Sequence, residues 1–248
     1  MKGAYINILT LVFFTQTLLA QDATAIVKRA DEKLRGSTSQ VEMIIKTVRP
    51  SWTREMRVKA WLKGNDLSMI LIQAPARDKG IVFLKRIKEV WNWIPALERT
   101  IKLPPSMLSQ SWMGTDFTND DLVKESSIIK DYTHSILGDT VIDNRSCHII
   151  LMTPKPNASV VWGKLIVCID KIDFLELHTK FYDEDGKLIN LMNAYDVKTM
   201  DGRLIPTHFE MIPVDKKNQK TEMIYQTIQY NRPIADAFFT QENMKIIH

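Results

Sequence analysis

The sequence predicts a mainly β protein of the α+β kind, built on a single curved antiparallel sheet. Three observations predict it. Apolar residues recur at every second position through most of the chain. The extended runs follow one another at spacings of about 10 to 14 residues without helical crossovers. Asp185-Gly186 and Asp201-Gly202 are strong signals for tight hairpins. The expected count is about ten or eleven strands with three helices.

The first helix opens at Asp22, a good N-cap. Ala23, Ile26, Val27, Ala30 and Leu34 then recur at helical spacing until Gly36 ends the run. The pattern next changes to period two. In TREMRVKAWLKG, residues 53–64, Met56, Val58, Ala60 and Leu62 share one face while Thr53, Glu55, Arg57 and Lys59 share the other. VEMIIKTV before it is also extended, and DLSMILIQAP after it is apolar on both faces. Residues 79–105 carry three short strands with prolines at their ends, and seven further extended runs lie between Tyr132 and Tyr230. Further helices are expected between Pro105 and Glu125 and near ADAFFTQENMK.

So long a sheet curls, and its concave face becomes an apolar trough that something must fill. The N-terminal helix and the segment around residues 104–125 are the only elements available for it. Twelve methionines, eleven of them beyond the leader, suit a pliable interior. Met56, Leu62 and Met69 are the sheet's candidates for the cavity wall. Trp91 and Trp93, two residues apart in EVWNWIP, share a strand face that is either core or a wall of the trough.

Residues 1–20 have one lysine near the start, an apolar run from Ile6 to Leu19 and a small residue at Ala20, the pattern of a signal peptide cleaved after about Ala20. Residues 21–248 then form a single domain, with no repeat or linker to divide them. No later run is long and apolar enough to span a bilayer. Export disfavours chemistry that needs ATP or reduced nicotinamides. Removing Lys2 leaves 32 Lys plus Arg against 29 Asp plus Glu, too mild and too scattered for a nucleic-acid surface. The midpoint of Cys147 and Cys168 falls inside the turn-like TPKPNASV. A hairpin around it places the two cysteines opposite each other, either as a cross-strand disulfide or as two free buried thiols.

No catalytic signature appears. His134, His148, His178, His208 and His248 are well separated, and HExxH, GxSxG, GxGxxG and P-loop motifs are missing. No metal site or cofactor is expected. YDEDGKL has an incomplete calcium-loop spacing and is read as a turn. An envelope hydrolase would require clustering of these histidines with acids in three dimensions.

The stretch SQSWMGTDFTNDDL, residues 109–122, holds three aspartates beside Trp112, Met113 and Phe117. As a helix entry it satisfies two rules. Thr118 and Asp121 form a capping box, and Phe117 and Leu122 occupy the positions of a hydrophobic staple. Asp120 and Asp121 also sit where acids favour the helix dipole, and Gly114 permits a sharp bend. Asp116 has no assigned role. Trp112, Met113 and Phe117 are anchors that either plug an apolar cavity or meet what enters it.

The order Lys79-Gly80, Phe83 to Lys85, VWNWIPALERTIKLP (90–104) and SWMGTDFTNDDL (111–122) resembles the outer-membrane lipoprotein-sorting protein family, the LolA-like periplasmic carriers. The resemblance covers essentially the whole chain after the signal peptide. It implies an unclosed β-barrel covered by the N-terminal helix and a short helical lid, enclosing an apolar cavity. It further implies a monomeric, non-enzymatic carrier or chaperone that binds acyl chains of lipoproteins or lipids. Such a carrier would take its cargo from an inner-membrane transporter complex and pass it to an outer-membrane acceptor. The characterised carrier holds its lid with an arginine, for which Arg57, Arg77, Arg86 and Arg99 are candidates here. The alternative is a non-enzymatic sensor or scaffold module of an envelope-stress or transport complex with the same fold.

Overall fold

The computed structural model describes residues 22–124 and 128–247, so the expected signal peptide lies outside the described residues. Helix α1, Ala23–Arg35, begins where Asp22 accepts a hydrogen bond from the Thr24 amide at 2.9 Å. It ends at Gly36, whose φ of 67° needs a residue without a β-carbon and whose N–H donates to the Glu32 carbonyl. Its apolar stripe of Ala23, Ile26, Val27 and Ala30 is buried.

Six strands follow: β1 Thr38–Arg49, β2 Trp52–Lys63, β3 Leu67–Ala74, β4 Val82–Arg86, β5 Glu89–Ile94 and β6 Arg99–Lys102. Seven more come after the crossing segment: β7 Tyr132–Ile142, β8 Arg145–Pro154, β9 Lys164–Asp170, β10 Glu176–Tyr182, β11 Leu188–Met200, β12 Arg203–Pro213 and β13 Lys220–Tyr230. All thirteen belong to one antiparallel sheet in the order β6-β5-β4-β3-β2-β1-β13-β12-β11-β10-β9-β8-β7, which does not close. The total exceeds ten or eleven, and each of the thirteen strands corresponds to one of the extended runs read along the sequence, including the three short ones of residues 79–105.

This order has a plain topological consequence. The chain starts at the centre of the sheet, meanders outward from β1 to β6, must cross to the opposite edge at β7, and meanders back until β13 pairs with β1. The described part of the crossing segment, residues 103–124 and 128–131, therefore lies on the open side of the curl. Two-residue turns suit the return path: Asp201 and Gly202, at φ 44° and 77°, form the β11–β12 hairpin expected of Asp-Gly.

The inner face of the sheet and the outer face around β3 to β5 are apolar, and each has its own cover. Ile45, Met56, Val58, Ala60, Ile70, Ile72, Phe83 and Val90 face inward under Trp112 and Val123 of the crossing segment. The other half of the interior, including Ile150, Met152, Val167, Phe181 and Met211, packs on α1, Phe117 and Leu122. Outside, Met69, Leu71, Val82 and Leu84, flanked by Trp61, Trp91 and Trp93, are covered by the C-terminal segment through Ile234, Phe238, Phe239, Met244 and Ile247. That segment ends in α2, Gln241–Ile246, capped by Thr240. Trp91, Trp93 and Met69 thus lie on the outer face, opposite the cavity for which they are candidates, because alternation along β3 and β5 gives the inner face to Ile70 and Val90.

The cysteine pairing differs from expectation in register. The β8–β9 hairpin forms, but Cys147 faces Asp170 and Cys168 faces Ile149. The two residues are diagonal neighbours, a relation that separates backbones by about 7–8 Å, beyond the roughly 4.4–6.8 Å of a disulfide. Both thiols are free and buried, and burial pushes the Cys147 thiol up to about 11.

Gly163 precedes β9 because its backbone passes against the next hairpin. A β-carbon there would stand 2.4 Å from the Asp183 carbonyl oxygen. Gly163→Ala is expected to lower stability by about 1–3 kcal/mol in urea denaturation; an unchanged midpoint would show that the approach is not tight.

Candidate functional site

The crossing segment is knitted by its own backbone before it touches the sheet. Ser111 and Thr118 bridge, Trp112 donates its N–H to the Phe117 carbonyl at 2.8 Å, and Asn119 and Asp120 donate to the carbonyls of Gln110 and Leu108. Met113 and Gly114 both take positive φ, 49° and 77°, which turns the chain sharply at the position where Gly114 suits a bend. The capping box forms: the Thr118 N–H donates to Asp121 Oδ2 at 2.8 Å, and the Asp121 N–H donates to Thr118 Oγ1 at 3.1 Å. What it caps is a single π-helical turn, Asp120–Lys124; separate 3-10 turns lie upstream at Pro105–Met107 and Trp112–Gly114. Phe117 and Leu122 join the same interior cluster, as a staple requires.

Two arginines hold this segment to the rim of the sheet. Arg49 grips Asp116 with two hydrogen bonds, Nη1 to Oδ2 at 2.9 Å and Nη2 to Oδ1 at 3.0 Å, and also donates to the Gly114 carbonyl at 3.1 Å. Thr221 Oγ1 adds a hydrogen bond to Asp116 Oδ2 at 2.7 Å and accepts from the Asp116 N–H at 2.9 Å. Arg54 donates to the Met113 carbonyl. Asp116, without a role in the sequence, is the anchor of the lid. The lid-holding arginines are Arg49 and Arg54 rather than Arg57, Arg77, Arg86 or Arg99, since the end of β1 and the start of β2 are what the crossing segment passes over.

Beneath the lid lies a cavity of about 290 Å³, at the low end of the roughly 300–1,000 Å³ typical of small-molecule sites. Trp112, Phe117 and Leu122 line it from the lid, Ala30 and Leu34 from α1, and Ile45, Val58, Ala60, Leu62 and Ile70 from the first half of the sheet. Five methionines, Met43, Met152, Met192, Met211 and Met223, belong to the wall. Of the candidates, Leu62, Trp112 and Phe117 therefore meet at the cavity. Met56 and Met113 pack in the cluster beneath the lid beside it.

Trp162 supplies a further wall. Its indole N–H donates to Asp121 Oδ1 at 2.7 Å, and its ring meets Phe181 edge-on at 5.1 Å. The partner lies 41 residues away in sequence, beyond the reach of any local pattern.

Four carboxyl groups also line the cavity: Asp31, Asp120, Asp121 and Glu176. Asp31 pairs with Arg35 at 3.2 Å. Burial pushes Asp121 up to about 6, against the opposing pull of its hydrogen bonds from Trp162 and Thr118. Burial likewise raises Glu176, whose one hydrogen bond among the described residues is from the Thr179 hydroxyl. The histidines lie apart: His148 meets Asp139 at 3.1 Å, His178 meets Asn193 at 2.7 Å and His134 meets the Ile128 carbonyl at 2.7 Å. Among the described residues no group of three or more His, Cys, Asp or Glu side chains could hold a metal ion.

A protein-family model described as "Uncharacterized protein" matches residues 64–246, more than half of the chain. The chain belongs to that family. Curated proteins give no match to this family member. Solved structures do match it. A DUF1329 family protein from Desulfovibrio piger superposes with a TM-score of 0.80 at 20% identity, over 90% of this chain and 97% of that one. A LolA superfamily protein from Nitrosomonas europaea superposes with a TM-score of 0.79 at 24% identity, over 90% and 99%. A domain assigned to outer-membrane lipoprotein sorting from Vibrio parahaemolyticus gives 0.78 at 20% identity, over 90% and 98%. The fold of this family member is thus LolA-like, an unclosed antiparallel sheet with few helices.

Two predictions follow from the lid. The Asp116 side chain is 4% exposed and that of Arg49 is 13% exposed, so Arg49→Ala strands a buried carboxylate and should cost about 3–5 kcal/mol in chemical denaturation. A loss below about 1 kcal/mol would show that the pair is dispensable. Asp121 binds its proton more tightly in the folded chain than in the unfolded one. Its contribution to stability is therefore present below about pH 4 and is lost as pH rises through about 6. Melting temperature measured across this window should decline less in Asp121→Asn than in the parent chain; parallel curves would remove Asp121 from the account.

Proposed function

We propose that this chain is a non-enzymatic periplasmic carrier that shelters acyl chains of a lipoprotein or lipid beneath its lid. The observation that carries the proposal is the apolar, methionine-walled cavity of about 290 Å³, covered by a segment held to the sheet chiefly by the bidentate Arg49–Asp116 pair, with Arg54 and Thr221 beside it. The LolA-like fold and the lipoprotein-sorting assignment of the Vibrio parahaemolyticus domain support it. So does the leader-like pattern of residues 1–20, on which we base export and cleavage after about Ala20, leaving 21–248 as one carrier domain. Among the described residues no helix is long and apolar enough to cross a membrane.

No chemistry is needed for such a task. Each buried methylene contributes about 0.8 kcal/mol, so one long acyl chain supplies a gross driving force on the order of 10 kcal/mol. Part of that is lost to immobilising the chain. Unbranched methionine side chains let one wall fit chains of different shape. Release requires the lid to leave, which means parting Asp116 from Arg49 and Thr221. An inner-membrane donor complex and an outer-membrane acceptor are the partners this role implies.

The expected result is co-purification of lipid with protein taken from the periplasm, detected by native mass spectrometry, and displacement of an apolar fluorophore by long-chain alcohols. Ala60→Trp places an indole in the cavity and should weaken fluorophore binding at least about tenfold, or 1.4 kcal/mol. A protein that arrives empty and binds no fluorophore would sink the proposal.

A further inference from the structure

The apolar cavity is not neutral. Glu176 lines it with one carboxylate oxygen engaged by the Thr179 hydroxyl, and its other oxygen bonds nothing among the described residues. Asp121 lines it too, held by the Trp162 indole and the Thr118 amide, both uncharged donors. Neither acid has a cationic partner among the described residues. The two cations on the wall are already committed elsewhere: Arg35 pairs with Asp31, and Lys33 donates to the Asp173 carbonyl at 2.6 Å. Acids without counter-charges in an enclosed apolar space are costly. They also discriminate strongly, since a second anion brought into the same space meets like charge and a cation meets an unpaired carboxylate.

From this arrangement we infer that the cavity selects amphiphiles whose head group carries a protonated amine, with the free oxygen of Glu176 as its acceptor and Asp121 as a second barrier to anionic heads. The inference rests on the reading of the cavity as an acyl-chain site and adds the head-group class to it. Fatty-acid carboxylates are the ligands it excludes. An amine entering beside Glu176 converts a desolvated acid into half of a buried ion pair, the arrangement in which such a charge is tolerated. An alcohol of the same chain length gains the burial of its tail and nothing from the acids.

The test uses three ligands of one chain length, dodecylamine, dodecanol and laurate, displacing an apolar fluorophore from the purified chain. At about pH 7.5 the free amine and carboxylate heads are both fully ionised. The amine should bind at least about tenfold more tightly than laurate, with the alcohol between them. Glu176→Gln keeps the hydrogen bond to Thr179 and the shape of the site, and should bring the amine to within about threefold of the alcohol. Asp121→Asn, read separately, should raise laurate binding relative to the alcohol. Equal binding of amine and laurate in the parent chain, or an amine preference that survives Glu176→Gln, overturns the inference. Failure of all three ligands to displace the fluorophore overturns instead the acyl-chain reading on which it rests.

Discussion

A sheet that is apolar on its inner face and on part of its outer face cannot stand alone in water, and the rest of the molecule is organised by that constraint. The outer face of β2 to β5 is buried by the C-terminal segment, with Phe238 set between Trp61 and Phe239. The inner face is buried by α1 on one half and by the crossing segment on the other. Because strand order puts the two ends of that crossing at opposite edges, the segment that covers the interior is also the one that must bridge the open side. The cavity is what remains between these covers.

The three aspartates of the lid have different fates, each set by neighbours. Asp116 meets a guanidinium and a hydroxyl and serves as a charged anchor. Asp121 meets only neutral donors in a desolvated place, and its carboxyl shifts upward. Asp120 is buried at the start of the π-helical turn, with the Val161 N–H directed at its carboxylate. Three like residues within six positions thus divide into an anchor, a cap and a buried acceptor.

Local features were legible in the sequence. The bounds of α1, the shared face of Met56, Val58, Ala60 and Leu62, the Asp-Gly hairpins and the capping box of Thr118 with Asp121 all depend on residues a few positions apart. What was not legible depended on register and distance. The cysteines missed each other because the β8–β9 hairpin turns one position away from the midpoint between them. Trp91 and Trp93 face the C-terminal cover because alternation states only that two faces differ, never which one is concave. Arg49 and Asp116 are 67 positions apart, and Trp162 and Asp121 are 41 apart, so no motif could join them.

The ladder that fails to close has a consequence for capacity. Strands β6 and β7 share no hydrogen bonds, so a seam runs along the molecule from rim to rim. A closed barrel has a bore fixed by strand number and stagger. Here the girth can change by parting or narrowing the seam, with every existing rung of the ladder intact. For the carrier proposed above, the cost of admitting a thicker guest would then fall on the lid's few side-chain contacts and on methionine rotamers. A container of this kind is graded by its clasp rather than by its staves.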